Sequence, residues 1–395
     1  MKNSILVLIS SASMALLWAC ASGLQHKDAQ SNPSTVSGVK QANPVETELN
    51  NPSSQAELIL APEMNVGLVF NRHTDSKQIK RILFESGNYT VNDTLFLPRT
   101  GGLVIIDGQG SNIKVGAGVP LFYSMPTSKK QAMEWNKTRY IIQNFGKIEG
   151  GDRGVYIGSS FNTVIENIEF IGQKSAAVDL VFCLMSTIEK VLVTNVYHDG
   201  IVLRSGLEEG SKKRMWDGAG FNNSQCNHTT IKSTRVYNRK GCTGTSFKIL
   251  QSTGVRLLDC ISEGWENERA VFFDAKDCST AKLFFIQNFH LEHMPRGGAL
   301  CFRSNGSIVE VDGLFLQHGN TDIPAIWLMT NGNYVFKNIG WWPERAWVKS
   351  SHSPSIVIEH CTKGFYDFKS NWRNADRPGE PIYPHYISTA HKLIR

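Results

Sequence analysis

The chain has 395 residues, of which 41% are hydrophobic and 19% charged, with 34 glycines. That length can bury one large core or two ordinary ones, and the glycine content favours many turns over long charged helices. The net charge of +6 is mild and spread along the chain, which excludes the clustered basic face of a nucleic-acid binder and leaves an acidic polysaccharide open as a partner.

The chain has a short basic start at Lys2, and an apolar run interrupted by serines follows as far as Cys20. The run is short for a spanning helix and reads as a secretory signal over residues 1–19. Leu17-Trp18-Ala19-Cys20 resembles a bacterial lipobox, which makes Cys20 the lipidated first residue of a membrane-anchored, cell-envelope protein. The alternative is ordinary cleavage after Ala21 and secretion. Residues 20–60 are rich in Ser, Asn, Gln and Pro without apolar periodicity, the composition of a disordered tether. Of the eight cysteines, none forms a Cys-x-x-Cys pair, so a cysteine metal site is not expected. Cys226 and Cys242 flank one segment and could pair as a disulfide in an oxidising envelope. Cys183, Cys260 and Cys361 read as small buried fillers.

From Asn162 onward one pattern returns: Ile-Glu-Asn-Ile-Glu-Phe at Ile165, then related six-residue runs at Ile188, Ile231, Val255, Ile286, Val311, Phe336 and Ile358. A second alternates with it, a small residue followed by apolar–x–apolar, at Ala177, Gly200, Ser246, Ala270, Ala299, Ala325 and Ala346. Both have the period of two of a strand with one buried face. Turn residues fill the gaps and no helical pattern intervenes. Two or three short strands in a unit of about 20–30 residues predict a solenoid, here an all-β parallel β-helix whose coils stack at about 4.8 Å. One coil cannot bury its inner face alone, so stability must come from the stack.

The stretch Ile82–Val115, ILFESGNYTVNDTLFLPRTGGLVIIDGQGSNIKV, resembles the opening coils of the pectin-lyase-like superfamily, in its pectate-lyase-like and tailspike-like branches. Glu85-Ser86 stand where that family's turn carries proline. The resemblance implies a right-handed parallel β-helix, read here as a single domain over residues 61–370 with a C-terminal tail at 371–395. The superfamily hosts lyases, hydrolases, epimerases and non-catalytic binders, so the fold does not settle activity. It implies a groove along the outer face of the strands that follow each small residue.

By alternation, Val178 and Leu180, Ile201 and Leu203, and their equivalents up to Ile326 and Leu328 point inward. The outward ladder is then Asp179, Val202, Lys248, Phe272, Cys301 and Trp327. Arg204, Asp274 and Arg303 stand one step beyond the strands, and Asp199, Arg269 and Arg345 one step before them. Cationic groups suit the carboxylates of an acidic glycan, and exposed Phe272 and Trp327 suit its sugar rings. The long insertion after Leu207 adds Lys212, Lys213, Arg214 and Trp216 as a basic flap beside this groove.

Tyr197-His198-Asp199-Gly200 resembles the position of a catalytic aspartate in polygalacturonases, but the Asp-Asp, Gly-His-Gly and Arg-Ile-Lys motifs of that family are absent. Asp199 and Asp179 fall about three residues out of register on adjacent coils, near 11 Å apart by strand rise and coil spacing. An inverting hydrolase places its carboxyls about 6.5–9.5 Å apart, which disfavours that chemistry. A lyase needs a base and a cation to stabilise enolate-like charge; His198, Asp199, Lys248 and Arg269 are the candidate catalytic residues. Asp179, Arg204, Trp216, Phe272, Asp274, Arg303, Trp327 and Arg345 are the candidate substrate contacts. Calcium would suit the same chemistry, yet no dense acidic cluster marks a site for it. His290, Glu292 and His293 are metal ligands by type, but their spacing on a strand favours a structural role. The reading is an envelope-anchored polysaccharide-active protein, leaning towards a lyase of a uronate-containing glycan. Its alternative is a non-catalytic glycan-binding or structural surface lipoprotein.

Overall fold

The computed structural model describes residues 56–388 except 75–78, 100–101, 207–224, 239–240, 265, 276–281, 294, 305, 319–322, 342–347, 351–353, 361–372 and 375–384. All of these belong to Ser53–Arg395, one of two units into which the chain divides. Cys20 and the signal, the basic flap with Trp216, Arg345 and Cys361 lie outside the described residues.

The described chain is a parallel β-solenoid. Each coil contributes one strand to an 11-stranded sheet and one or two to a 17-stranded sheet. Successive coils pair in parallel, residue for residue: Ile165 lies beside Ile188, Ile168 beside Val191 and Phe170 beside Val193. All six are almost completely buried, so each apolar position of the repeat stacks on its own copy one coil away. This is the stack that the two sequence patterns require, and it joins the core from Leu60 to Ile356 into one cluster. Phe273 and Phe284 stack within it at 4.6 Å.

The larger sheet bends within each coil because the period of two is broken there. Between buried Ile165 and Ile168 lie two outward residues, Glu166 and Asn167, and Asn167 takes φ of 54°. Its neighbours in the column, Asn144 and Lys190, do the same. Asparagine tolerates this left-handed backbone better than most residues because its short amide bonds locally. Here it also bonds between coils: Asn167 Nδ2 donates to Asn144 Oδ1 at 3.0 Å. Further along, Asn288 Nδ2 donates to Asp259 Oδ1 at 3.1 Å. At the N-terminal end the helix Val66–Thr74 buries Val66 and Phe70. Two short strands, Arg373–Asn374 and His385–Ser388, extend the sheets beyond residue 370.

The cysteine pairing differs from expectation. Cys226 is a free thiol and forms no disulfide with Cys242. Cys226 instead lies against Cys183, whose backbone N–H donates to its sulfur at 3.3 Å. Both cysteines are buried, as is Cys260, so the filler role holds for Cys183 and Cys260 and replaces the disulfide for Cys226.

Candidate functional site

The outer face of the 11-stranded sheet carries the expected ladder. Asp179 pairs with Val202, Val202 with Lys248, Lys248 with Phe272, Phe272 with Cys301 and Cys301 with Trp327. The small residue that opens each strand points inward at the coil's corner: a Cβ on Gly200 would stand 3.0 Å from the buried Val236 side chain. Gly200 and Ile201 are therefore two consecutive inward positions, and this local break turns the preceding Asp199 to the outer face.

Asp199 is the centre of one cluster. Its Oδ1 accepts the Thr245 N–H at 2.8 Å, and its Oδ2 lies 3.1 Å from Lys248 Nζ and 3.1 Å from His198 Nδ1. The carboxylate is only 9% exposed, whereas the His198 side chain is 57% exposed. Burial alone would push the Asp199 carboxyl up, but the His198 hydrogen bond, the Lys248 ammonium and the Thr245 N–H outweigh it and hold it below its ordinary range. Asp199 is thus a buried, ion-paired group, not the exposed turn carboxylate that its place before Gly200 suggests. The arrangement is a base-type imidazole oriented by a carboxylate, the geometry that prepares histidine for proton transfer.

Asp179 is the centre of a second cluster on the adjoining coil. It accepts from Arg153 Nε at 3.1 Å and from Arg204 Nε at 2.8 Å. Arg204 also donates to the Tyr156 hydroxyl at 3.0 Å, and Arg153 lies over the Tyr156 ring at 4.6 Å. Asp179 and the Tyr156 oxygen outweigh the cost of burying the Arg204 guanidinium and raise its pKa. Arg269, the fourth candidate catalytic residue, is set apart from the His198–Asp199–Lys248 group. It lies one coil further on, paired in register with Thr245, and its guanidinium holds Glu268 at 2.6 Å. Arg303 pairs with Asp274. Phe272 is not the exposed platform expected of it: it is 8% exposed, with the Arg269 and Arg303 guanidinium groups 4.5 and 5.4 Å from its ring centre. Trp327 remains half-buried in the ladder.

The same column holds aromatic residues that the sequence reading missed. Phe96 pairs with Tyr123 and Tyr123 with Tyr156, which adjoins Asp179. The rings meet edge to face at 5.6 and 5.5 Å, and Phe96 is 51% exposed. An apolar–aromatic–apolar triplet marks each, Leu95-Phe96-Leu97, Phe122-Tyr123-Ser124 in part, and Val155-Tyr156-Ile157. One wall beside them comes from the insertion that contains the helix Lys129–Met133. Its Met125 and Trp135 pack with Tyr156 and Leu184 around Val181 and Phe182. Arg99 links the insertion to the neighbouring strand: it donates to the carbonyls of Gly158 and Ser159 at 2.7 and 3.0 Å and to that of Gln131 in the insertion at 3.5 Å. Elsewhere, His290 packs against Phe315 at 5.2 Å, and no group of three metal-ligating side chains occurs among the described residues.

No family model matches the chain, and no curated protein matches it. Among solved structures it is similar to the Streptococcus pneumoniae surface protein and adhesin PfbA, at 10% identity and a TM-score of 0.50. The match covers 75% of this chain and 90% of that one. At that identity the likeness is one of fold.

Proposed function

We propose that the protein is a polysaccharide-recognising β-helix of the bacterial cell envelope, anchored through Cys20 and binding glycan along the outer face of its 11-stranded sheet. The ladder Phe96–Tyr123–Tyr156 carries this reading. Three aromatic residues lie along one line on successive coils: Phe96 is half exposed, whereas Tyr123 and Tyr156 are partly buried and Arg153 lies over the Tyr156 ring, so the line offers the open Phe96 ring and the edges beyond it to a sugar chain. Beyond Tyr156 the line continues into Asp179, Arg153 and Arg204, whose forked donors suit hydroxyl and carboxylate groups. The cations of this face stand on carboxylates, so ring stacking and hydrogen bonding contribute more than a net positive field. PfbA, whose fold this chain shares, is a surface protein and adhesin, and that role agrees with surface recognition. Calorimetric titration against neutral and uronic-acid oligosaccharides tests the reading: binding that Tyr156→Ala weakens supports it, and absence of binding to every glycan in the panel refutes it.

A second reading, a lyase, is favoured by one observation, the exposed His198 imidazole oriented by buried Asp199 beside Lys248. In that reading His198 takes the proton next to the uronate carboxylate, and Lys248 or Arg204 faces the developing charge. Incubation with uronic-acid polysaccharides, followed by ultraviolet absorbance of new unsaturated ends, separates the two readings.

A further inference from the structure

Along the turns of successive coils, from Val115 to His198, lies a cavity of about 580 Å³, within the roughly 300–1,000 Å³ typical of ligand sites. Its floor is glycine backbone. Gly118 and Gly172 both have positive φ, 74° and 69°, and a Cβ on either would meet nothing within 4 Å. The floor is therefore bare main chain open to a flat ligand. Gly150 and Gly151 complete it; a Cβ on Gly151 would press 2.6 Å from the Val119 carbonyl, so backbone closeness requires glycine there.

The rim carries the chemistry. Tyr197 is 61% exposed, yet its backbone is fixed on both sides. Its N–H donates to Gln173 O at 2.9 Å, and its carbonyl accepts from Thr243 N–H at 3.0 Å. Such an anchored, outward tyrosine presents a ring to solvent at little further cost in order. Lys174 and His198 are the ionisable groups of the lining that can carry positive charge near neutral pH, and no lining residue is acidic. Lys174 is exposed and makes no ion pair among the described residues. This contrasts with the sheet face, where Arg153, Arg204, Lys248, Arg269 and Arg303 each stand on a carboxylate.

We infer that this cavity is a subsite for one carboxylate-bearing sugar residue, with the ring lying on the glycine floor beside Tyr197 and the carboxylate held by Lys174. The inference rests on the glycan-binding reading and adds the identity of the sugar class: acidic selectivity arises at the turn-side cavity, while the aromatic ladder binds rings without regard to charge. A lysine ammonium is a compact charge suited to a single carboxylate, and because Lys174 is exposed its attraction is screened by added salt.

The test compares a uronic-acid oligosaccharide with its carboxyl-reduced, neutral counterpart by calorimetric titration. The wild type should bind the acidic form at least about fivefold more tightly, and that preference should fall as salt rises. Lys174→Gln should bring the ratio close to one, and Tyr197→Ala should weaken the acidic form several-fold. Equal binding of the two oligosaccharides by the wild type overturns the inference, as does a preference that survives Lys174→Gln. In either case Tyr156-dependent binding keeps the broader reading alive. Failure of both oligosaccharides to bind removes the reading and the inference together.

Discussion

His198 Nδ1 lies 3.1 Å from Asp199 Oδ2, and the pair joins an exposed imidazole to a carboxylate that is almost closed off from water. Lys248 reaches the same oxygen. Asp199→Asn keeps an acceptor for the Thr245 N–H but removes the charge that faces the Lys248 ammonium. Removing one partner of a buried pair costs about 3–5 kcal/mol, so a clear fall in melting temperature is expected. The pH dependence follows from linkage. Asp199 is held below its ordinary value of 3.8 in the fold, so its stabilisation is complete above that value and is lost as pH falls through the folded one. The gap between wild type and Asp199→Asn should therefore narrow as melting is followed from about pH 6 downward past pH 3. A gap that stays constant across this range would show that the charge of Asp199 contributes nothing.

Gly244 holds the same cluster from behind. A Cβ at this position would stand 1.9 Å from the His198 carbonyl oxygen and 2.0 Å from its carbon. Both are backbone atoms and cannot swing aside as a flexible side chain would. Gly244→Ala must displace either the turn at His198 or Thr245, whose N–H serves Asp199. The expected result is a loss of about 2 kcal/mol or more, in the range for overpacking a tight site, measured by urea denaturation. An unchanged midpoint would mean that the coils are less closely apposed here.

Asn167 tests the bend. Valine is ordinarily the better strand residue, but at φ of 54° its branched side chain meets the backbone, a strain of about 1–2 kcal/mol. It also loses the bond to Asn144. The expected order of stability is Asn167 close to Asn167→Gly and both above Asn167→Val. The reverse order in thermal melts would place this residue in ordinary extended backbone.

The coil repeat and its register were legible because inward apolar residues repeat at a period of two, which within each unbroken strand specifies which face a residue takes. Asp179, Lys248, Phe272 and Trp327 accordingly fall in one column as expected. What a neighbouring coil does to a residue was not legible. Asp199 reads as a turn residue until Lys248 and Thr245, contributed from beyond the long insertion, close over it. Phe272 reads as an exposed platform until two guanidinium groups from flanking positions cover it. Cys226 pairs by sequence with Cys242 but by space with Cys183. The aromatic ladder lies upstream of Asn162, from which the repeat is traced: Gly154-Val155-Tyr156-Ile157 carries the same small-residue lead one coil earlier, but Leu121 stands in that place before Phe122-Tyr123.

Tyr156 separates ring stacking from hydroxyl chemistry. Its hydroxyl accepts from Arg204, its ring lies under Arg153, and its edge meets Tyr123. Tyr156→Phe keeps the ring and removes only the Arg204 bond, and Arg204 retains Asp179. Its glycan affinity should stay within about twofold of wild type, with a stability loss near 1 kcal/mol for the missing hydrogen bond. Tyr156→Ala removes the ring at the end of the ladder that adjoins Asp179. An aromatic contact contributes about 0.5–1.5 kcal/mol beyond area burial, so affinity should fall roughly threefold to tenfold. Phe96→Ala acts at an end of the ladder that is half exposed; it should cost less stability than Tyr156→Ala while weakening long oligosaccharides more than short ones, because only a long chain reaches both ends. If Tyr156→Phe weakens binding as much as Tyr156→Ala, the hydroxyl and its arginine carry recognition and stacking does not. If neither Tyr156→Ala nor Phe96→Ala changes affinity for a glycan that the wild type binds, the ladder is not the binding surface.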